Sequence, residues 1–211
     1  MKVLKFRLSE RLDLKMNLYR IFYMKLFIAS DIHGSALWCR KMMERFREEQ
    51  ADKILLLGDI LYHGPRNDLP DEYAPKSVIE MLNPLADKII SVRGNCDAEV
   101  DQMVLKFPVL ADYSILELNE TLIFATHGHL YGEKNPPSFV KDGLLLCGHT
   151  HVPACRECKT DTGDTFQYLN TGSVSIPKET SCHSYMIFEN GIFTWKDIET
   201  SKEYMMWDCK K

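Results

Sequence analysis

Five short stretches of this sequence set side chains able to ligate a metal directly behind apolar runs. They are Asp31-Ile32-His33-Gly34, Gly58-Asp59, Gly94-Asn95-Cys96-Asp97, His127-Gly128-His129 and Gly148-His149-Thr150-His151. Five of the seven histidines fall in them, His63 lies just past the second, and only His183 stands apart. A single histidine is most often a satisfied core or surface residue, and a single aspartate behind a strand is most often a helix cap. Five such stretches in one chain are poorly explained that way and point to a metal centre. The candidate ligands are Asp31, His33, Asp59, Asn95, His127, His149 and His151. These are too many for one ion. Two ions about 3.5 Å apart, sharing one carboxylate and one water-derived oxygen, would use them all. A mixed nitrogen and oxygen set without thiolate suits manganese, iron, zinc or nickel.

The elements that must position these residues are legible as short apolar strands at 25–30, 53–57, 88–92, 121–125 and 143–147. Helical patterns lie between the first three: residues 35–49 put Leu37, Met42, Met43 and Phe46 mostly on one side, and residues 75–83 do so with Val78, Ile79 and Leu82. Strand, helix, strand, helix, strand implies right-handed crossovers and a parallel sheet. Ligands bind outside the carboxyl ends of strands in such sheets, so the five loops are expected to converge on one surface. Later, "YSILELNETLIFA" and "SYMIFENGIFTWKDI" pattern as hairpins, the second turning at Asn190-Gly191 in a type I′ turn, which suggests a second sheet packed on the first.

The motifs D-x-H, G-D, G-N-C-D, G-H-G-H with its first glycine replaced by Thr126, and G-H-T-H, in that order, resemble the calcineurin-like metallophosphoesterase superfamily. More narrowly they are similar to the small bacterial and archaeal YfcE-type phosphodiesterases. The resemblance covers roughly residues 24–200, and "SDIHG" and "GHTH" occur literally. It implies an α/β fold, a four-layer α/β/β/α sandwich of two mixed β-sheets flanked by helices. It also implies a partition of the ligands: Asp31, His33 and His151 on one ion, Asn95, His127 and His149 on the other, and Asp59 bridging. The implied activity is hydrolysis of small phosphodiesters by in-line attack of a metal-bridging hydroxide, with Mn2+ as the leading metal and Zn2+, Fe2+ and Ni2+ as alternatives. The ions would stabilise charge developing on the phosphoryl oxygens.

Many superfamily members carry a histidine after the asparagine; here it is Cys96, as in the YfcE-type branch. A thiol is a poor proton donor in place of an imidazolium, with a pKa near about 8.5 unless shifted. Cys96 is thus expected at the substrate, and the general acid falls to His129, with Asp97 and His63 behind it; the alternative for His129 is to orient His127. On the loop after Asp59, Arg66 could clamp a phosphoryl oxygen, with Asn67 or His63 as donors. Asn170-Thr171-Gly172-Ser173 and Arg93 are expected to be structural.

At 211 residues and 45% hydrophobic content the chain suits one domain, placed at 24–205. A net charge of -4 gives no basic footprint for nucleic acid, so a small-molecule phosphodiester is the expected partner. Seven scattered cysteines, with Cys155 and Cys158 as ordinary hairpin residues, suggest a reducing cytoplasm. Residues 1–23, with six basic and two acidic side chains, are expected to be an extension outside the fold, ahead of a translation start expected at Met24, and no membrane span is expected. A homodimer or tetramer is expected by analogy. The rival reading, a noncatalytic scaffold on the same fold, is disfavoured because every expected ligand is retained.

Overall fold

The computed structural model describes residues 24–118, 121–138 and 140–210; the expected extension at 1–23 lies outside the described residues. Two sheets face each other. The first has six strands in the order β11-β10-β9-β1-β2-β3, the second five in the order β4-β5-β6-β8-β7. In the first, β1 (Leu26–Ala29), β2 (Lys53–Leu56) and β3 (Ile89–Ser91) run parallel. They are joined by α1 (Ala36–Glu49), then by α2 (Pro75–Leu82) with a 3-10 turn at Asn83–Lys88. A third helix, α3 (Glu99–Val104), follows β3.

Strands buried on both faces read as continuous apolar runs, and the alternation of side chains sorts them between two cores. From β1, Phe27 and Ala29 face the helices while Leu26 and Ile28 enter the layer between the sheets. From β2, Ile54 and Leu56 go to the helices and Leu55 to the inner layer. The second sheet repeats this: in β5 (Thr121–Thr126) and β6 (Leu144–Cys147), Ile123, Ala125, Leu144 and Leu146 point inward, while Phe124, Leu145 and Cys147 point outward. The segment between β5 and β6, in whose described residues no helix forms, covers that outer face with Tyr131 and Val140.

The buried face of α1 is Trp38, Cys39, Met42, Met43 and Phe46; Leu37, expected on it, is only partly buried. Ser35 caps α1 by accepting from Trp38 N at 3.2 Å. The hairpin of β4 (Tyr113–Leu118) with β5 joins the second sheet, across β6 from the hairpin of β7 (Pro153–Lys159) with β8 (Thr165–Thr171) that carries Cys155 and Cys158. The hairpin of β9 (Ser184–Glu189) and β10 (Ile192–Asp197) instead returns to the first sheet, where β9 pairs antiparallel with β1. Asn190 and Gly191 both have positive φ (56° and 86°), as a type I′ turn requires. The last strand, β11 (Glu203–Asp208), runs past the boundary expected at 205. Among the described residues, no helix is long and apolar enough to cross a membrane.

Candidate metal centre

The carboxyl ends of β1, β2, β3, β5 and β6 meet at one edge of the sandwich, and backbone hydrogen bonds stitch their loops together. His33 N donates to Asp59 O at 2.9 Å, Asp31 N to Gly58 O at 3.1 Å and Gly148 N to His127 O at 2.9 Å. Asp31, His33, Asp59, His149 and His151 all have φ between 49° and 68°. Left-handed backbone at a residue other than glycine costs of order 1–3 kcal/mol and persists only where the surroundings enforce it. Five of the twelve such residues, outside glycine and among those described, belong to the seven candidate ligands, so this loop cluster holds the strain.

The seven side chains fall into two groups around Asp59. In one, His33 Nε2 lies 3.2 Å from His151 Nε2 and 3.6 Å from Asp31 Oδ1, and His151 Nε2 lies 3.2 Å from Asp31 Oδ1. In the other, His127 Nε2 lies 3.1 Å from Asn95 Oδ1 and 3.2 Å from His149 Nδ1. Asp59 Oδ2 stands between them, 3.7 Å from His33 Nε2 and 3.4 Å from His127 Nε2.

Backbone carbonyls fix three of the imidazoles. His33 Nδ1 meets Tyr62 O at 2.8 Å, His127 Nδ1 meets Leu57 O at 2.6 Å and His151 Nδ1 meets Ile176 O at 2.6 Å. Each contact requires the proton on Nδ1, which turns the bare Nε2 of a neutral ring toward the centre. Asp31 Oδ1 is buried and without a hydrogen-bond partner, opposite two such nitrogens. Lone pairs aimed at one another in a buried site call for a cation between them, and this donor set fits divalent ions that take nitrogen and oxygen ligands.

The electrostatics agree. In the ion-free site burial works against the Asp31 and Asp59 carboxylates, yet hydrogen bonds from, and positive charge on, the neighbouring histidines hold Asp31 well below the usual carboxylate range and Asp59 below it too, protons there standing in for the cation. Burial lowers His127, but Asp59 and Asp31 outweigh it and carry that ring up to about 9. Burial and the charge on His127 push His149 down to about 4. The two carboxylates thus demand positive charge, and without an ion a proton on His127 supplies it.

Cys96 faces the same space, its Sγ grouped with His33 and Asp59, and its thiol is pushed up by burial and by Asp59. In the ion-free site it is therefore a neutral S–H. His129 packs edge-on to His127, ring centres 5.4 Å apart, with a buried Nδ1 that has no partner. His127 is oriented by Leu57 O, not by His129. Asn67, considered as a phosphate donor, directs its amide to His63 O at 2.8 Å within its own loop. Arg66 lines a groove beside the centre, and His63 packs between Tyr62 and Tyr73.

Asp97 is the residue whose importance the motif concealed. It is buried, and its carboxylate accepts from Asp59 N at 2.8 Å, Gly94 N at 2.7 Å and Ile60 N at 2.9 Å. It ties the loop after β2 to the loop after β3, a structural task at a position considered for proton donation. Asn170 and Ser173 likewise work beneath the site: Asn170 Nδ2 donates to Gly148 O at 2.6 Å and Ser173 Oγ to Asp31 O at 3.1 Å. Arg93 donates from Nε to Asp97 O at 3.2 Å.

Comparison with known proteins places this geometry. Residues 24–191 match the family model described as the calcineurin-like phosphoesterase superfamily domain. The chain is 46% identical over 171 residues to phosphodiesterase YfcE of Escherichia coli, covering 81% of this chain and 90% of that protein. The solved structure of that YfcE superimposes with a TM-score of 0.82 at 41% identity, over 88% of this chain and all (100%) of that one. A zinc complex of Vps29 from Entamoeba histolytica shares the fold alone, with a TM-score of 0.56 and 16% identity over 88% of this chain and 99% of that one.

Proposed function

The chain belongs to the calcineurin-like phosphoesterase superfamily, and from that premise we propose that it is a phosphodiesterase hydrolysing small diesters at a centre for two divalent metal ions. The observation that carries the reading is the buried, unpartnered Oδ1 of Asp31 facing two ring nitrogens whose other nitrogens are anchored to carbonyls. In this reading Asp31, His33 and His151 would hold one ion, Asn95, His127 and His149 would hold the other, and Asp59 would serve both. When bound, the ions supply an activated water-derived nucleophile and positive charge for the phosphoryl oxygens. Manganese is the leading candidate, ahead of zinc, iron and nickel.

The chain's own residues do the rest. The carbonyls of Tyr62, Leu57 and Ile176 fix ring tautomers, and Asp97 sets the carboxylate of Asp59 by holding its backbone N–H. The exposed Asn95 and the half-buried Cys96 thiol face the position of the substrate phosphate, and Arg66 on the adjoining loop contributes positive charge. His129, packed edge-on to His127 with its Nδ1 buried, delivers a proton to the leaving oxygen from its other ring nitrogen. The same reading makes the protein cytoplasmic and a homodimer or tetramer, for which Val100 and Met103 on α3, 61% and 83% exposed, offer apolar surface.

The test is hydrolysis of bis(p-nitrophenyl) phosphate against p-nitrophenyl phosphate by purified protein with added manganese, alongside elemental analysis. The diester is expected to turn over faster. Faster monoester turnover moves the assignment to phosphomonoesterase. No bound metal, with inactivity across a panel of ions, restores the scaffold reading. Asp59→Asn is expected to abolish most activity while leaving the fold intact, and retained activity refutes the bridging role.

A further inference from the structure

Beside the metal centre, on the His151 side, runs a groove of about 330 Å³ between residues 66–71 and residues 175 and 176. The second wall is continuous with the centre: Ile176 O takes the Nδ1 proton of His151 at 2.6 Å, and Ser175 Oγ donates to Asp31 O at 2.9 Å. The first wall belongs to the loop that leaves Asp59 and is held firmly. Ser35 Oγ donates to Asp71 O at 2.6 Å, Trp38 Nε1 donates to Asp71 Oδ2 at 3.2 Å, and Asn67 spends its amide on His63 O. A groove built this way is formed before any ligand arrives, which removes part of the ordering cost of binding.

Its size suits one compact organic group, at the lower end of small-molecule sites. A phosphomonoester has nothing to place there, whereas a diester has a second substituent. The lining also has a chemistry. Leu69, 63% exposed, with Pro70 and Ile176, offers apolar contact for a ring or carbon chain. Asp68 and the Asp71 oxygen that Trp38 leaves free accept hydrogen bonds from hydroxyls, and the two carboxylates outweigh Arg66 on the same wall and repel a further anion.

We propose that this groove is the subsite for the second ester substituent and that it selects diesters bearing a neutral polyhydroxyl group over those bearing an additional phosphate. The inference rests on the phosphodiesterase reading above. It is tested by p-nitrophenolate release from methyl p-nitrophenyl phosphate, from uridine 5′-(p-nitrophenyl phosphate) and from the 3′-phosphorylated form of the latter, comparing ratios of kcat/KM. Wild type is expected to favour the uridine ester about tenfold over each of the others. Leu69→Trp, which fills the groove from an exposed position, brings the uridine-to-methyl ratio toward unity. Asp68→Lys raises relative turnover of the phosphorylated ester severalfold. Equal turnover of the uridine and methyl esters by wild type, or ratios unmoved in both variants, overturns the groove assignment while the phosphodiesterase reading stands. Absence of diester turnover with any divalent ion removes that reading, and the groove assignment with it.

Discussion

Replacing Asp97 separates two roles that the motif leaves entangled. In Asp97→Ala, three backbone N–H groups, of Asp59, Ile60 and Gly94, lose their acceptor in a buried site. Each orphaned donor costs about 1–3 kcal/mol, and because all three shared one carboxylate the sum falls at about 3–6 kcal/mol. Relief partly offsets this: burial and the charge on Asp59 push the Asp97 carboxyl up to about 6, so its ionised form is itself costly. Urea unfolding of the metal-free protein reads the result as a midpoint lower by about 1–2 M, taking a slope of about 3 kcal/mol per M. Asp97→Asn keeps an acceptor but cannot act as an acid. Its kcat is expected to fall less than about tenfold, with the limbs of the pH-rate profile in place, whereas loss of a general acid costs about 10²–10⁴. Asp97→Ala within 0.5 kcal/mol of the parent, a shift at the level of an ordinary surface change of about that size, refutes the loop-tying role. A lost basic limb in Asp97→Asn reinstates it as the acid.

Gly94 lies against the bridging carboxylate, and a Cβ there would sit 2.1 Å from Asp59 Oδ1 and 2.3 Å from Asp59 N. Gly94→Ala is accordingly expected to reduce activity on the order of 10²-fold or more, and metal content measured on the same sample should fall with it. Metal-free His127 keeps its proton up to about pH 9, and an ion can take that nitrogen only by displacing it. Affinity for Mn2+ should therefore rise with pH through the neutral range, and calorimetry at neutral pH in buffers of different ionisation enthalpy should report proton release; pH-independent affinity contradicts the assignment. His129→Gln should lower kcat far more on alkyl esters, whose leaving oxygen needs a proton, than on p-nitrophenyl esters, whose phenolate leaves unaided; equal losses exclude proton delivery by His129.

The strand ends were legible because strands buried on both sides appear as unbroken apolar runs, and the ligand types directly behind them carry their own chemical meaning. The Asn190-Gly191 turn was legible for a local reason too, since both positions need positive φ. Where that hairpin docks was not. Pairing β9 with β1 is a contact between Met186 and Ile28, far apart in sequence, and no pattern within either strand specifies its partner. The helical face of α1 extends to Trp38, which is fixed from outside its helix by Asp71 and by a stack on His183, while Leu37 packs at its margin. At the site, residue type announced the ligands but could not reveal how side chains are spent. Asn67 is consumed by its own loop and Asp97 by three backbone donors, and these are facts of geometry.

The insertion of β9 beside β1 has a consequence for how the protein comes into being. The loop carrying Asp31 is propped by Ser173, Val174 and Ser175, and the strand that precedes it is flanked by β9. Chains emerge from the ribosome amino end first. The Asp31 loop is thus synthesised long before the segment that props it, and until residues 184–189 appear β1 offers an unpaired edge. Ion capture in the final geometry is consequently a late event in biogenesis, and a nascent chain halted after β8 would contain all seven ligands and still lack the flanking strand that completes the first sheet around β1.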